Sequence, residues 1–204
     1  KGLVYISRIL YSYSELYLEF EEQIYLENAT HAYKFLTEKM YDNKNKGFYW
    51  SCEYDGKVLD NTKHLYGQTF ALYGLSAYYK ASKSKEAIEH AKEIVKIIGE
   101  NLVDFPKNYC EEYSINFKPQ KNNLLKGYNI IPEITTNTLL HLAEGLGLYY
   151  EVTKDDIAKK YVKLLFQTIF ETGYDQKNKN LYQFLNYKLE SVIDVYSYGH
   201  NLEV

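Results

Sequence analysis

The sequence predicts an all-α fold of stacked helical hairpins with small β-hairpins inserted between them, and three observations predict it. Apolar residues recur at three- and four-residue spacing through most of the chain, the mark of helices with one buried face. Three of those helices close on a similar pair, Leu16-Tyr17, Tyr78-Tyr79 and Tyr149-Tyr150, and each pair is followed by a short link, a second amphipathic helix and a turn-rich excursion. Counting from Tyr17 to Tyr78 and on to Tyr149 gives offsets of 61 and 71 residues. The excursions all fall at the same point of the repeat, between the second helix of one hairpin and the first helix of the next. A repeat of this kind buries its apolar face only by stacking on its neighbours, which leaves an open solenoid or a ring with inner and outer helical layers. The excursions favour the ring, because they would gather around the mouth of a barrel.

Taken in order, residues 2–20 form the first helix, with Leu3, Ile6, Leu10, Tyr13 and Tyr17 inward. Residues 28–40 form the second, with Ala32, Phe35, Leu36 and Met40 inward. Residues 41–61 hold a β-hairpin turning at Asp55-Gly56, a pair suited to two positive φ values. Helices over 62–81 and 85–101 follow, the second with Ile88, Ala91, Ile94 and Ile98 in register. Residues 102–132 carry all three prolines and no periodicity, an excursion long enough to suggest a functional loop. A helix over 133–152 is followed by a capped start at Asp155 and a helix to residue 171. Residues 174–194 read as a second hairpin, and a further helix opens at 195.

Composition excludes several function classes. A chain of 204 residues that is 46% hydrophobic and 25% charged is ordinary for a globular protein, and its net charge of −3 with no basic run argues against a nucleic-acid surface. No apolar stretch approaches the roughly 20 residues of a membrane span. Cys52 and Cys110 form neither a metal spacing nor a disulfide framework, which suits a reducing, cytoplasmic setting. The sequence has no Gly-rich phosphate loop, no metal-ligand spacing and no nucleophile elbow, so neither a cofactor nor a metal is expected. Lys1 already lies inside a helical pattern, so the natural N-terminus is expected upstream.

Candidate chemistry begins at the far end. In Ser197-Tyr198-Gly199-His200-Asn201-Leu202-Glu203, a histidine and a carboxylate three apart share a helix face, just after a glycine that lets the chain turn into the helix. Arg8 is the one arginine among 24 basic residues, set in an apolar helix where a planar bidentate fork does what lysine cannot. The 61- and 71-residue offsets superpose Tyr5, Tyr66 and Asn137 at the starts of successive inner helices, with His141 four residues beyond Asn137. Arg8, Tyr66, Asn137, His141, His200 and Glu203 are therefore expected to meet in a central pocket. Burying six such groups unpaired would cost roughly 1–3 kcal/mol apiece. With 24 tyrosines the chain is also rich in a side chain suited to sugar clefts. His31 and His90 fall on outer helices, and His64 faces away from Tyr66. Trp50 is either a pocket wall or a hairpin anchor.

Several stretches resemble the cellobiose 2-epimerases of the N-acylglucosamine 2-epimerase superfamily. They run from Lys1-Gly2 through Ser7-Arg8-Ile9-Leu10, from Lys63-His64-Leu65-Tyr66 to Tyr78-Tyr79, from Asn137 to His141, and over Ser197 to Glu203, where Ser-Tyr-Gly-His is the most specific part. The resemblance implies an (α/α)6 barrel, with residues 1–204 as a single partial domain of six to seven helices lacking the N-terminal helix and the C-terminal half. It implies epimerisation at C2 of the reducing-end glucose of a β-1,4-disaccharide such as cellobiose or lactose, by ring opening and an enediolate. It also implies that His200 is an acid/base with a second histidine beyond residue 204, and that Arg8 binds the oxyanion. Tyr66, Asn137 and His141 would bind sugar hydroxyls, and Glu203 would orient His200. Asn201 stands where the family has aspartate. The alternatives are an N-acylhexosamine 2-epimerase or aldose–ketose isomerase of the same superfamily, or a non-catalytic helical-repeat scaffold, which predicts no convergence of Arg8, His141 and His200.

Overall fold

Three helical hairpins stand side by side in the computed structural model, which describes residues 1–122 and 132–203. The first pairs α1 (Leu3–Phe20) with α2 (Gln23–Phe35), which runs on as a π-turn over Leu36–Met40. The second pairs α3 (Leu65–Ser82) with α4 (Lys85–Leu102), and the third α5 (Thr136–Thr153) with α6 (Asp156–Thr168), ending in a π-turn over Ile169–Gly173. A short α7 (Tyr198–Leu202) opens the next repeat. Helix α3 packs between α1 and α5 to form the inner layer, and α2, α4 and α6 back onto their partners as the outer layer.

Each hairpin bends at a residue in the left-handed region: Glu21, Lys83 and Lys154 have φ of 55°, 60° and 61°. Their N–H groups donate to the carbonyls of Tyr17, Tyr79 and Tyr150, satisfying orphan helix-end acceptors. These bends correct the expected register. The first two repeats are 62 residues apart, not 61, so Tyr17 matches Tyr79 and Val4, not Tyr5, matches Tyr66. A slip of one residue turns a helix position by about 100°. Tyr5 accordingly points out, 57% exposed.

The close approach of the inner helices rests on two glycines in the same repeat position. A Cβ on Gly74 would lie 2.8 Å from the Ser7 carbonyl oxygen, and one on Gly145 3.0 Å from that of Thr69. The core runs through this contact as Leu3, Leu10, Leu72, Leu75, Leu139, Leu142 and Leu146, all essentially inaccessible. The outer helices present a single apolar stripe, such as Ala87, Ala91, Ile94 and Ile98 of α4. Ser84 and Asp155 cap α4 and α6 by accepting backbone N–H groups from Ala87 and from Ile157 and Ala158.

The excursions form the strands. β1 (Ser51–Cys52) pairs with β2 (Val58–Asp60), and β3 (Lys63–His64) with β4 (Glu112–Tyr113), which pairs in turn with β5 (Pro119–Gln120). β6 (Ile134–Thr135) pairs with β9 (Phe184–Leu185), and β7 (Tyr174–Asp175) with β8 (Asn180–Leu181). These pairings explain why the inner helices start later than the periodicity suggests, since residues 63–64 and 134–135 are taken into ladders. The final helix opens at 198 rather than 195, because the Val195 carbonyl accepts from the Gln183 N–H. Helix α2 begins five residues early, at Gln23, because the apolar residues of its first turn are not fully buried: Ile24 is exposed, and Tyr25 and Leu26 are half-buried. At the first hairpin turn only Gly56 takes positive φ (95°), and Asp55 does not. The part of the 102–132 excursion from 123 to 131 lies outside the described residues.

The hairpins of the first and third repeats are built alike. Asp42 Oδ1 accepts the N–H groups of Lys44 and Asn45, and Asp175 Oδ1 those of Lys177 and Asn178. In the first repeat Asp42 also meets the fully buried Lys63 ammonium at 3.2 Å. In the third its counterpart Asp175 accepts from the Tyr196 hydroxyl at 3.3 Å.

Candidate active site

With the repeats in correct register, Arg8, Phe70 and His141 occupy one equivalent position on α1, α3 and α5, and Glu203, the residue that caps α7, takes the corresponding place in the fourth repeat. The first three are in continuous contact, the two rings tilted by 49°. The Arg8 guanidinium lies 4.8 Å from the centre of the Phe70 ring, and the Phe70 ring 4.7 Å from the His141 imidazole. Tyr66, one turn nearer the helix start, closes against both rings at 4.9 and 5.4 Å. Arg8 has no carboxylate partner among the described residues, so the alternative of a structural ion pair does not apply to it. Its fork stands exposed beside an aromatic face.

Asn137 and Tyr66 sit at the second position of α5 and α3. Burial pushes the Tyr66 hydroxyl above its usual range, while the Asn137 amide and then the Arg8 charge pull it back, so the three groups share one space. The Asn137 Oδ1 atom is buried with no hydrogen-bond partner among the described residues, an acceptor left open. His141 is buried, and its Nδ1 is held 2.6 Å from Glu144 Oε2.

His200 is half-buried at the third position of α7, its N–H donated to the Ser197 cap. Burial depresses its pKa first, the Glu203 carboxylate raises it, and His141 lowers it, which puts both residues within electrostatic reach. Arg8, Tyr66, Asn137, His141, His200 and Glu203 are thus drawn to one region near the first turns of the inner helices, a convergence that a passive scaffold does not require. Glu203, however, bonds His200 only through the backbone, its N–H donating to the His200 carbonyl at 3.2 Å; the partner of the ring Nδ1 is Gln183 Oε1 at 3.2 Å. Asn201 is occupied in holding the preceding hairpin, accepting from the Leu181 N–H at 2.7 Å and donating to Asn180 Oδ1 at 2.8 Å. An aspartate there would keep the first bond and lose the second.

Sequence reasoning missed Phe70, Glu144 and Gln183. Glu144 carried a usable signal, because His141 and Glu144 repeat the three-residue spacing of His200 and Glu203. Gln183 carried none, lying in a segment without periodicity. His31 is exposed and His90 packs on Tyr41 at 4.6 Å, in line with outer-layer roles. A concavity of about 930 Å³ lies elsewhere, between α4 and α6 on the outer layer around Glu89, Val103 and Tyr161. Among the described residues no three His, Cys, Asp or Glu side chains cluster as a metal site would need, and no helix is long and apolar enough to cross a membrane.

The N-acylglucosamine 2-epimerase (GlcNAc 2-epimerase) family profile matches residues 1–198, nearly the whole of this arrangement. The chain belongs to that family. Among curated relatives it is 43% identical over 203 residues to a cellobiose 2-epimerase of Dictyoglomus turgidum, and 37% identical over 219 residues to that of Eubacterium cellulosolvens. All of this chain aligns in both cases, with 52% and 54% of the relative, so it spans about half the length of the curated family members it matches. The solved cellobiose 2-epimerase of Bacillus thermoamylovorans superposes with a TM-score of 0.93 at 36% identity, over 98% of this chain and 52% of the other. The fold is that of the (α/α)6 barrels, of which these hairpins make up about half. A D-mannose isomerase, at 19% identity and a TM-score of 0.76, shares the fold.

Proposed function

We propose that these residues form part of the pocket of a carbohydrate 2-epimerase acting on the reducing-end glucose of β-1,4-linked disaccharides such as cellobiose or lactose. The observation that carries the reading is the Arg8 guanidinium, without a carboxylate partner among the described residues, in contact through the Phe70 ring with His141, and His200 in electrostatic contact. Family membership and the cellobiose 2-epimerases among its relatives support it.

In this mechanism the sugar first opens to its aldehyde, which makes the C2 proton acidic. Neutral His200 removes that proton; the C–H electron pair becomes the C1=C2 bond, and the carbonyl electrons move onto O1. Arg8 then offers two parallel N–H groups to the enediolate oxygens, an interaction strongest when the charge has formed. Tyr66, Asn137 and His141 hold hydroxyls, Asn137 through its free Oδ1. A proton returns to C2 on the opposite face, restoring the aldehyde as the mannose epimer. In this reading a further histidine beyond residue 204 supplies it. Burial serves the chemistry by keeping His200 neutral, and hence basic, below the pH at which a free imidazole charges.

The test is cellobiose incubated with the protein at its natural length in deuterated water, with C2 followed by NMR. Deuterium is expected at C2 of the epimer. His200→Ala is expected to lower turnover on the order of 10²–10⁴-fold, and Arg8→Lys to lower it strongly while keeping the charge. A wild-type protein inactive on every reducing disaccharide, or a His200→Ala variant at full rate, would overturn the reading. A ketose product would assign it to the isomerases instead.

A further inference from the structure

Each excursion returns past the start of its own inner helix and gives one carbonyl to that helix's first N–H. Trp50 O accepts from Leu3 at 2.9 Å, Glu111 O from Leu65 at 2.8 Å, and Gln183 O from Thr136 at 3.2 Å. The same three residues send their side chains across to the start of the next inner helix. The Trp50 ring lies 4.3 Å from that of His64, and a Cβ added to Gly67 would meet it at 3.1 Å. Glu111 accepts from the Thr135 N–H at 2.7 Å and from its hydroxyl at 2.9 Å. Gln183 Oε1 stands 3.2 Å from His200 Nδ1. Glu111 also hydrogen-bonds the Thr138 side chain, and Gly67, Thr138 and His200 are each the third residue of their helix, so one strap residue per repeat reaches the same place.

We propose that Gln183 is the positioning residue of His200, its amide oxygen accepting the Nδ1 proton so that the bare Nε2 is left to face the sugar. The assignment rests on His200 being the acid/base, and it moves the orienting task from Glu203 to the strap. Gln183 suits it because its backbone is tied at both ends, the N–H to Val195 O at 3.3 Å and the carbonyl to Thr136. Two ring nitrogens compete for one proton in a neutral imidazole, and a fixed acceptor at one of them selects the tautomer. Glu203 at the end of α7 and His141 on α5 also act on the charge of the ring, without bonding to it.

The test is imidazole ¹⁵N NMR on the natural-length protein above neutral pH, with His200 assigned by its loss in His200→Ala, alongside kinetics. Wild type is expected to show Nδ1–H with bare Nε2. Gln183→Leu should redistribute the tautomers and lower kcat by at least about tenfold with KM little changed. Gln183→Glu keeps an acceptor and adds a charge, so it should retain the tautomer, recover turnover at higher pH and move the acid limb of the kcat profile upward. A wild-type Nε2–H tautomer, or a Gln183→Leu protein with unaltered tautomer and kcat, would overturn the proposal. Should Gln183→Leu fail to fold, an unshifted acid limb in Gln183→Glu would overturn it equally. If wild type proves inactive while the tautomer responds to Gln183, the reading of the site fails and the positioning stands.

Discussion

Around His200 three influences oppose one another, and their order can be tested one residue at a time. Burial is the largest and disfavours the imidazolium, His141 adds to it, and Glu203 works against both. The neutral base therefore persists to lower pH than in a free histidine, whose pKa is about 6.5. Removing the opposing charge deepens the depression. Glu203→Gln should move the acid limb of kcat/KM to lower pH, and His141→Asn should move it up; a Glu203→Gln limb displaced upward would contradict the order. The same sign governs stability, because the unfolded chain binds a proton here that the folded chain resists, so this contribution is present above about pH 6.5 and shrinks as pH falls. At this scale the sequence was legible where chemistry is local to a helix, as in the shared faces of Asn137 with His141 and of His200 with Glu203. It was blind to Gln183, whose contact depends on where a strap 17 residues away returns.

Among the elements, the inner-helix crossings hold the site together. Gly74 and Gly145 let α3 approach α1 and α5 approach α3 to backbone contact, and the neighbours are carbonyls that cannot step aside. Gly74→Ala and Gly145→Ala should each destabilise by about 1–3 kcal/mol through overpacking. Gly147→Ala, two residues along α5 with nothing within 4 Å of the added carbon, should be neutral or stabilise by up to about 1 kcal/mol. Urea titrations of the three variants check this; equal effects at 145 and 147 would show that the crossing is not tight. Helix existence could be read from apolar periodicity, whereas helix starts could not. Residues 63–64 and 134–135 look helical by pattern and are claimed by ladders with residues more than 40 positions away. The register slip at Tyr5 has the same origin: aligning on tyrosine pairs leaves one residue of ambiguity, which only the left-handed bends remove.

Across the whole molecule the layers are unequally enclosed. Helix α3, flanked on both sides, buries Leu65, Gly67, Phe70, Leu72 and Leu75 among other residues spread around its circumference, while α1 buries only Leu3, Ile6, Ser7, Leu10 and Ser14. In a stack held by nearest-neighbour contacts, opening begins where neighbours are fewest. Hydrogen exchange of the 204-residue polypeptide should therefore be slowest in α3 and faster in α1; protection equal in both would mean that the stack unfolds as one unit. Arrangement around a shared end has an electrical side as well. Helices α1, α3 and α5 all begin at the end where Tyr66, Asn137, Arg8 and His141 lie within the first two turns. Each helix carries about half a positive elementary charge at that end. The scaffold itself, before any side chain acts, thus supplies a cationic field in which negative charge developing at that end is favoured over its neutral precursor.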